Sequence, residues 1–340
     1  MCISKLFSCD IKHINSELSQ FPNAFSNKKL IISGGTGFIG KWILEAFLAI
    51  KKEYDINFEI TVISRNSLKF IKENPYLGSQ VKFINGDITD NLSIDMNFIE
   101  NYDFGIFAAT DIVSPNLSDT IKVNTTGIIN FLDIAKKLKI KKILLLSSGA
   151  VYGKFKSNNN NNNKNENVDF NIMSNDYYQN SKIFMEWYGG VISSNDFSVI
   201  SARIYALIGP YINLNSHFAV ACFIKSALNN EDIIINGDGK NIRSYMYAAD
   251  LSISLLKILA IGKDKFYNLG SNIPISIYDL AIKVNKVIGS KNKVIIQNKN
   301  ISNEFYVPNI SNSLDIINIT NQINLDDAII KTYEWYRKFQ

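Results

Sequence analysis

Only two histidines and three cysteines occur in the 340 residues of this chain. The cysteines (Cys2, Cys9 and Cys222) are odd in number, no Cys-x-x-Cys is present, and no histidine cluster accompanies them. That pattern argues against a disulfide framework and a zinc site and fits a reducing compartment. No run of about 18 apolar residues occurs, so no membrane span is expected. Asp10, Lys12, His13 and Asn15 interrupt the N-terminal segment before it can form a secretory apolar core. A cytoplasmic location is therefore expected. A basic stripe is missing too. Net charge is +5, but Lys51-Lys52, Lys136-Lys137 and Lys141-Lys142 are short scattered pairs. They read as solvated helix surface, not as a nucleic-acid footprint.

What is present is an ordinary globular composition, 46% hydrophobic and 20% charged. The length allows one large core, or one core with a smaller lobe. Short apolar runs at 29–33, 58–63, 81–84, 104–109, 142–147, 197–202 and 266–269 read as strands. Helical spacing fills 39–50, 120–138 and 178–191. Strands buried on both faces and alternating with helices predict an α/β fold, a doubly wound parallel sheet of Rossmann type. The alternation loosens after about 205, where a smaller C-terminal α/β lobe is expected to bind substrate. The expected division is an N-terminal extension over 1–27, a dinucleotide domain over 28–204 and about 236–272, and the lobe over about 205–235 and 273–340. The segment 157–167 is almost pure asparagine and reads as a loop. No internal repeat is visible.

Gly34-Gly35-Thr36-Gly37-Phe38-Ile39-Gly40 directly follows the first strand and opens the first long helix. Glycines at 34, 37 and 40 permit a tight turn, a close backbone approach to a pyrophosphate and close helix–strand packing. The helix N-terminus adds unpaired N–H groups and partial positive charge. The expected dinucleotide contacts include Thr36, Phe38, Ile39, Ile88, Ala108 and Ala109. After the second strand an acidic residue would bond the adenosine ribose, but Ser64-Arg65 stands there. Arg65 can pair with a 2′-phosphate, which tips the cofactor toward NADP(H) and leaves NAD(H) open. Asp87 after the third strand is placed for the adenine edge, or acts as a turn former.

Tyr178-Gln-Asn-Ser-Lys182 puts a phenol and an ammonium on one helix face. A free phenol ionises near pH 10, and a nearby cation lowers that value. Ser147-Ser148 ends the hydrophobic strand that precedes this helix. Ser148 is expected to hold a substrate oxygen, Tyr178 to move a proton, and Lys182 to tune Tyr178 and bind the nicotinamide ribose.

These residues resemble the extended short-chain dehydrogenase/reductase family, in its NAD(P)-dependent nucleotide-sugar epimerase/dehydratase branch. The resemblance runs from about 28 to 338. Ser147-Ser-Gly-Ala-Val-Tyr-Gly153 is similar to the segment carrying the family's catalytic serine or threonine. Asn124 matches the family's helix asparagine. Arg203-Ile-Tyr-Ala-Leu-Ile-Gly-Pro210, Tyr267-Asn-Leu-Gly270 and Tyr306-Val-Pro308 match branch patterns. Arg243, in Gly237-Asp-Gly-Lys-Asn-Ile-Arg243, matches an arginine that contacts the substrate diphosphate. The resemblance implies a nucleotide-diphosphate sugar as substrate, and a homodimer through helices at 118–138 and 178–193. Tyr205 and His217 fall in the lobe as possible substrate contacts; a structural role suits His217 as well.

Three departures narrow the chemistry. Branch dehydratases carry an Asp-Glu pair after the catalytic threonine, and the decarboxylases a glutamate there; this chain has Gly149-Ala150. Ala206 replaces an asparagine that binds phosphate, and Phe305 an arginine before Tyr306-Val-Pro308. Elimination needs a placed acid. The reading is therefore hydride and proton transfer at C4 of a nucleotide-linked hexose, by a 4-epimerase or 4-keto reductase of surface polysaccharide or deoxysugar synthesis. The alternatives are a dTDP-glucose 4,6-dehydratase-like enzyme with its acid from elsewhere, and a non-catalytic dinucleotide sensor on the same fold.

Overall fold

Continuous apolar runs become the central strands because both sheet faces are covered by helices. The computed structural model describes residues 4–90, 101–110, 117–153, 155–156, 176–297, 304–314, 318–320 and 322–339; the expected asparagine-rich loop at 157–167 lies outside them. Seven strands form one sheet: β1 (Lys28–Ser33), β2 (Phe58–Ser64), β3 (Lys82–Asn85), β4 (Phe104–Phe107), β5 (Lys142–Ser148), β6 (Ser198–Ile204) and β7 (Phe266–Leu269). Their spatial order is β7-β6-β5-β4-β1-β2-β3, with every neighbouring pair parallel. This is the doubly wound order, in which ligands bind beyond the carboxyl ends of the strands where the order reverses between β1 and β4.

The strand ends fall within two residues of the sequence expectation; β4 stops at Phe107 and leaves Ala108 and Ala109 in the following loop. A larger difference concerns 120–138. The expected single helix is three pieces: Leu117–Lys122, a π-helical turn at Val123–Gly127, and Ile128–Lys137. The wider π turn carries Asn124 inward, where its Nδ2 donates to Ser181 Oγ at 3.0 Å. Such single turns interrupt helices chiefly where a side chain is re-aimed.

Helix α1 (Ser8–Glu17) packs Ile14 into the core beside α2 (Phe38–Glu53). Buried Asp10 accepts from Tyr247 Oη at 2.9 Å, and His13 sits 2.7 Å from Asp250. Trp42 of α2 reaches the lobe, donating from Nε1 to Pro210 O at 2.8 Å. A separate four-stranded sheet is ordered Ile275–Ser276, Ile242–Arg243, Glu304–Tyr306 and Phe155–Lys156, so it joins strands from both the expected lobe and the expected dinucleotide domain. Register sets Arg243 beside Tyr306. Among the described residues, no helix is long and apolar enough to cross a membrane.

Candidate active site

The turn after β1 shows why each glycine is there. Gly34 has φ +77, a conformation that favours glycine, and a Cβ on it would lie 2.5 Å from the Ala108–Ala109 peptide. Gly40 packs its Cα against Gly34 and Gly35, so any side chain would force α2 away from the turn. Gly37 differs: a Cβ there would meet nothing closer than Gly34 O at 3.5 Å. Packing within the chain does not demand glycine at that position. The turn is instead left open on its outer face at the N-terminus of α2, where no side chain caps the helix. That cradle would suit a pyrophosphate, which the N–H groups near Phe38 and Ile39 could hold. Thr36 lies on the same turn, with Ala108 and Ala109 on its far wall.

Around the adenosine end the expected residues lie together but are engaged with one another. Arg65 Nη1 stands 3.9 Å from Asp87 Oδ2; Arg65 is exposed and Asp87 half-buried. Asp87 Oδ1 also accepts from the Thr89 amide and hydroxyl, each at 2.9 Å. Burial pushes the Asp87 carboxyl up, but the Thr89 bonds and Arg65 outweigh it and hold the group below its usual range. Ser64 Oγ accepts from the Asn66 amide, as a turn former. Ile88 is buried under Gly127 and Phe107. Its side chain therefore belongs to the wall's packing, and its carbonyl accepts from Asn130 at 2.9 Å.

The candidate reacting groups come from β5 and from α3 (Tyr177–Ile192). Asp176 caps α3 by accepting from the Tyr178 and Gln179 amides at 3.0 and 3.1 Å. A cap of this kind contributes about 1 kcal/mol and fixes Tyr178 in the first turn. Gly189 lets α3 approach the sheet closely, since a Cβ there would lie 2.8 Å from Leu145 Cδ1. As a result buried Lys182 donates to Leu146 O at 2.9 Å. Its Nζ lies 5.8 Å from the Tyr178 ring centre. Ser148 ends β5, accepts from the Ala150 amide at 3.1 Å and hydrogen-bonds Tyr178. Asn124 Nδ2 is used by Ser181, and its buried Oδ1 has no hydrogen-bond partner among the described residues.

The electrostatics differ from the sequence expectation. Within the chain, burial raises the Tyr178 phenol, and the Ser148 hydrogen bond is the force that pulls it down. Burial also lowers Lys182 to about 7, with Glu186 opposing. The desolvated ammonium is a weaker tuning cation than the Tyr-x-x-x-Lys spacing alone suggests.

Around this centre lies a polar network whose members have no role assigned from sequence. Glu186, one turn beyond Lys182, accepts from Ser147 Oγ at 2.5 Å and pairs with Arg203 Nη2 at 2.7 Å. Arg203 donates onward to Tyr152 Oη at 2.8 Å, which donates to Asn268 at 3.0 Å. The helical spacing of Lys182 and Glu186 is a signal that could have pointed to Glu186. Tyr306 was visible as a motif but not as a neighbour of Ser148.

The expected substrate contacts separate. Tyr205 lies at the centre: its ring fills the space beside Gly149 and packs 4.7 Å from Tyr306. Arg243 lies behind Tyr306, held by Glu304 at 2.7 Å, so its charge is already partly matched. His217 is exposed and leans on Phe218, so it is not the core histidine that a structural role predicts. A separate cavity of about 610 Å³, lined by Cys222, Phe223, Ile234, Asn236, Ile295 and other lobe residues, shares none of these groups. No cluster of His, Cys, Asp or Glu able to hold a metal occurs among the described residues.

A profile of the NAD dependent epimerase/dehydratase family matches residues 30–270. UDP-glucuronic acid decarboxylase 1 of Xenopus tropicalis is 24% identical over 322 residues, covering 94% of this chain and 74% of that protein. UDP-N-acetylglucosamine 4-epimerase from Methanobrevibacter ruminantium M1, solved with UDP-N-acetylmuramic acid, superposes with a TM-score of 0.77 at 22% identity, over 93% of this chain and 100% of that one. The dTDP-glucose 4,6-dehydratase of Bacillus anthracis, solved with NAD, gives 0.72 at 18% identity, over 92% and 97%. Likeness to these two structures speaks for the fold alone. The profile covers more than half of the sequence, including the glycine turn and the tyrosine–lysine helix, and the protein belongs to the NAD dependent epimerase/dehydratase family.

Proposed function

We propose that this protein exchanges hydride and proton at C4 of a nucleotide-linked hexose, as a 4-epimerase or 4-keto reductase serving surface polysaccharide or deoxysugar synthesis. The observation that carries the reading is the contact between Gly149 and Tyr205. A Cβ at 149 would lie 2.5 Å from Tyr205 Cζ, so a phenol ring fills the space an acidic side chain there would need. Loss of water requires an acid at the leaving hydroxyl, and Gly149-Ala150 provide none. Proton exchange at an oxygen needs only what Ser148, Tyr178 and Lys182 offer.

A bound nicotinamide supplies hydride acceptance and return. The glycine turn would hold its pyrophosphate, and Arg65 would favour a 2′-phosphate, hence NADP(H), with NAD(H) the other reading. Tyr178 takes the proton of the C4 hydroxyl or returns it to the ketone oxygen. Ser148 holds that oxygen in line with Tyr178, and Lys182 fixes the ribose and the local charge. Arg243, once released from Glu304, supplies a cation for a substrate diphosphate.

A homodimer is part of the same proposal. Trp187 and Val191 on α3 are 55% and 64% exposed, and Leu117 and Ile121 on the neighbouring helix are exposed as well. Together they form an apolar face suited to a second copy of the chain.

The purified protein, denatured, is expected either to release a nicotinamide nucleotide without net NADPH use, or to hold none and oxidise NADPH with a nucleotide-linked 4-keto hexose. Neither behaviour, with all nucleotide hexoses unchanged, overturns the reading.

A further inference from the structure

The strand Glu304–Tyr306 brings a second phenol to the reacting centre. The Tyr306 hydroxyl lies 3.4 Å from Ser148 Oγ. The Ala150 amide donates to Ser148 Oγ at 3.1 Å and so takes one of its two lone pairs. A hydroxyl has one proton to donate and two lone pairs to accept with. Either hydroxyl can donate across the Tyr306–Ser148 gap, and with Tyr306 as the donor both lone pairs of Ser148 are taken. Ser148 then accepts from Ala150 and from Tyr306, and what it has left for Tyr178 is its own proton.

We propose that Tyr306 is a positioning residue that fixes the direction of a hydrogen-bond chain from Tyr306 through Ser148 to Tyr178, so that the serine proton faces the Tyr178 oxygen and supports its phenolate. The proposal rests on the reading of Ser148 and Tyr178 as the reacting pair. The lobe thereby acts on proton transfer through Ser148. At 3.4 Å the Tyr306–Ser148 bond is long, as catalytic hydrogen bonds commonly are before substrate closes the site. Tyr306 is also held in place: its ring packs on Tyr205, and the Arg243 guanidinium lies 5.7 Å from its centre.

The groups that face Tyr178 are Ser148 from β5, Lys182 and the capping Asp176 from α3, and Tyr306 from the lobe. Glu186 stands behind Lys182, and Arg243 with Glu304 behind Tyr306. Tyr306→Phe leaves the carboxylates and cations in place and removes the donor to Ser148 together with a phenol that repels a Tyr178 phenolate when ionised, an effect that would shift Tyr178 the other way.

The test is a near-ultraviolet phenolate titration of the purified protein, taken as the difference from Tyr178→Phe so that the Tyr178 ionisation is isolated. In Tyr306→Phe that ionisation is expected to move to higher pH by about one pH unit, the size of one charge-assisted hydrogen bond. The kcat at neutral pH falls about tenfold with KM little changed, and in a Ser148→Ala background Tyr306→Phe has no further effect. Fluorotyrosine at 306, a stronger donor of the same shape, moves the ionisation the opposite way. An unmoved ionisation in both variants, or full additivity with Ser148→Ala, overturns the proposal. The titration needs no substrate, so it decides on Tyr306 even where no nucleotide hexose is turned over, an outcome that would count against the C4 reading instead.

Discussion

Gly149 lies flush against the ring of Tyr205, with room for no side chain between them. The ring cannot retreat easily, because the Tyr205 amide is bonded to Leu269 O at 2.9 Å and its Cβ faces Gly270. Gly149→Asp should therefore overpack the site and cost about 1–3 kcal/mol, read as a melting temperature lower by a few degrees. No dehydratase activity should appear. Wild-type stability together with a 4-keto-6-deoxy product would show that the ring moves aside freely.

Tyr178→Phe removes the proton-moving group while keeping its ring. Turnover should fall by about 10²–10⁴, with the cofactor dissociation constant changed little. Kinetics and a fluorescence titration with NADPH check the pair of outcomes; retained turnover would assign the proton to another group.

Arg65→Ala should weaken NADPH far more than NADH, by roughly ten- to a hundredfold, since a charge-assisted hydrogen bond contributes about 1.5–3 kcal/mol. The Asp87 pairing is long at 3.9 Å and its Arg65 end is exposed to screening, so it does not prevent Arg65 from turning to a phosphate. Calorimetry with both nucleotides decides, and equal losses would contradict the 2′-phosphate role.

Lys182 gives the protein a pH-dependent stability of definite sign. Burial lowers its ammonium in the fold to about 7, whereas in the unfolded chain it stays protonated up to about pH 10.4. Between those values the unfolded state binds more protons, so stability from this site rises with pH. Below about pH 7 both states are protonated and the burial penalty is constant. The stability difference between wild type and Lys182→Met, followed by urea unfolding of nucleotide-free protein, should climb from pH 7 to 9 by at most about 1.4 kcal/mol per pH unit. A flat difference would mean that the ammonium is not depressed.

Arg203→Met should strand Glu186 in the core without its partner, at about 3–5 kcal/mol, with Glu186→Gln in the same chain recovering part of the loss. Thermal unfolding of the single and double variants checks this.

The sheet was legible because its strands are uninterrupted apolar runs, and the glycine turn because Gly34 and Gly40 answer to local geometry. The break at Val123–Gly127 was not, since nothing in its own residues forbids an α-helix; it follows from the pull of Ser181 on Asn124, a contact made only in the folded chain. The Ser148–Tyr178–Lys182 grouping could be read from a strand end and one helical turn. The partners that set its electrostatics could not. Arg203 and Tyr306 reach it from β6 and from the lobe, far along the sequence. The desolvation that lowers Lys182 and raises Tyr178 is a property of packing and has no pattern in the residues.

The central claim is exchange at C4 without elimination. Its most direct test is the reaction of UDP- and dTDP-linked hexoses, and of their 4-keto forms with NADPH, in deuterium oxide, with products read by NMR. The account predicts a hexose inverted or reduced at C4, with all its oxygens retained and no solvent deuterium at C5. A 4-keto-6-deoxy product carrying solvent deuterium would contradict it.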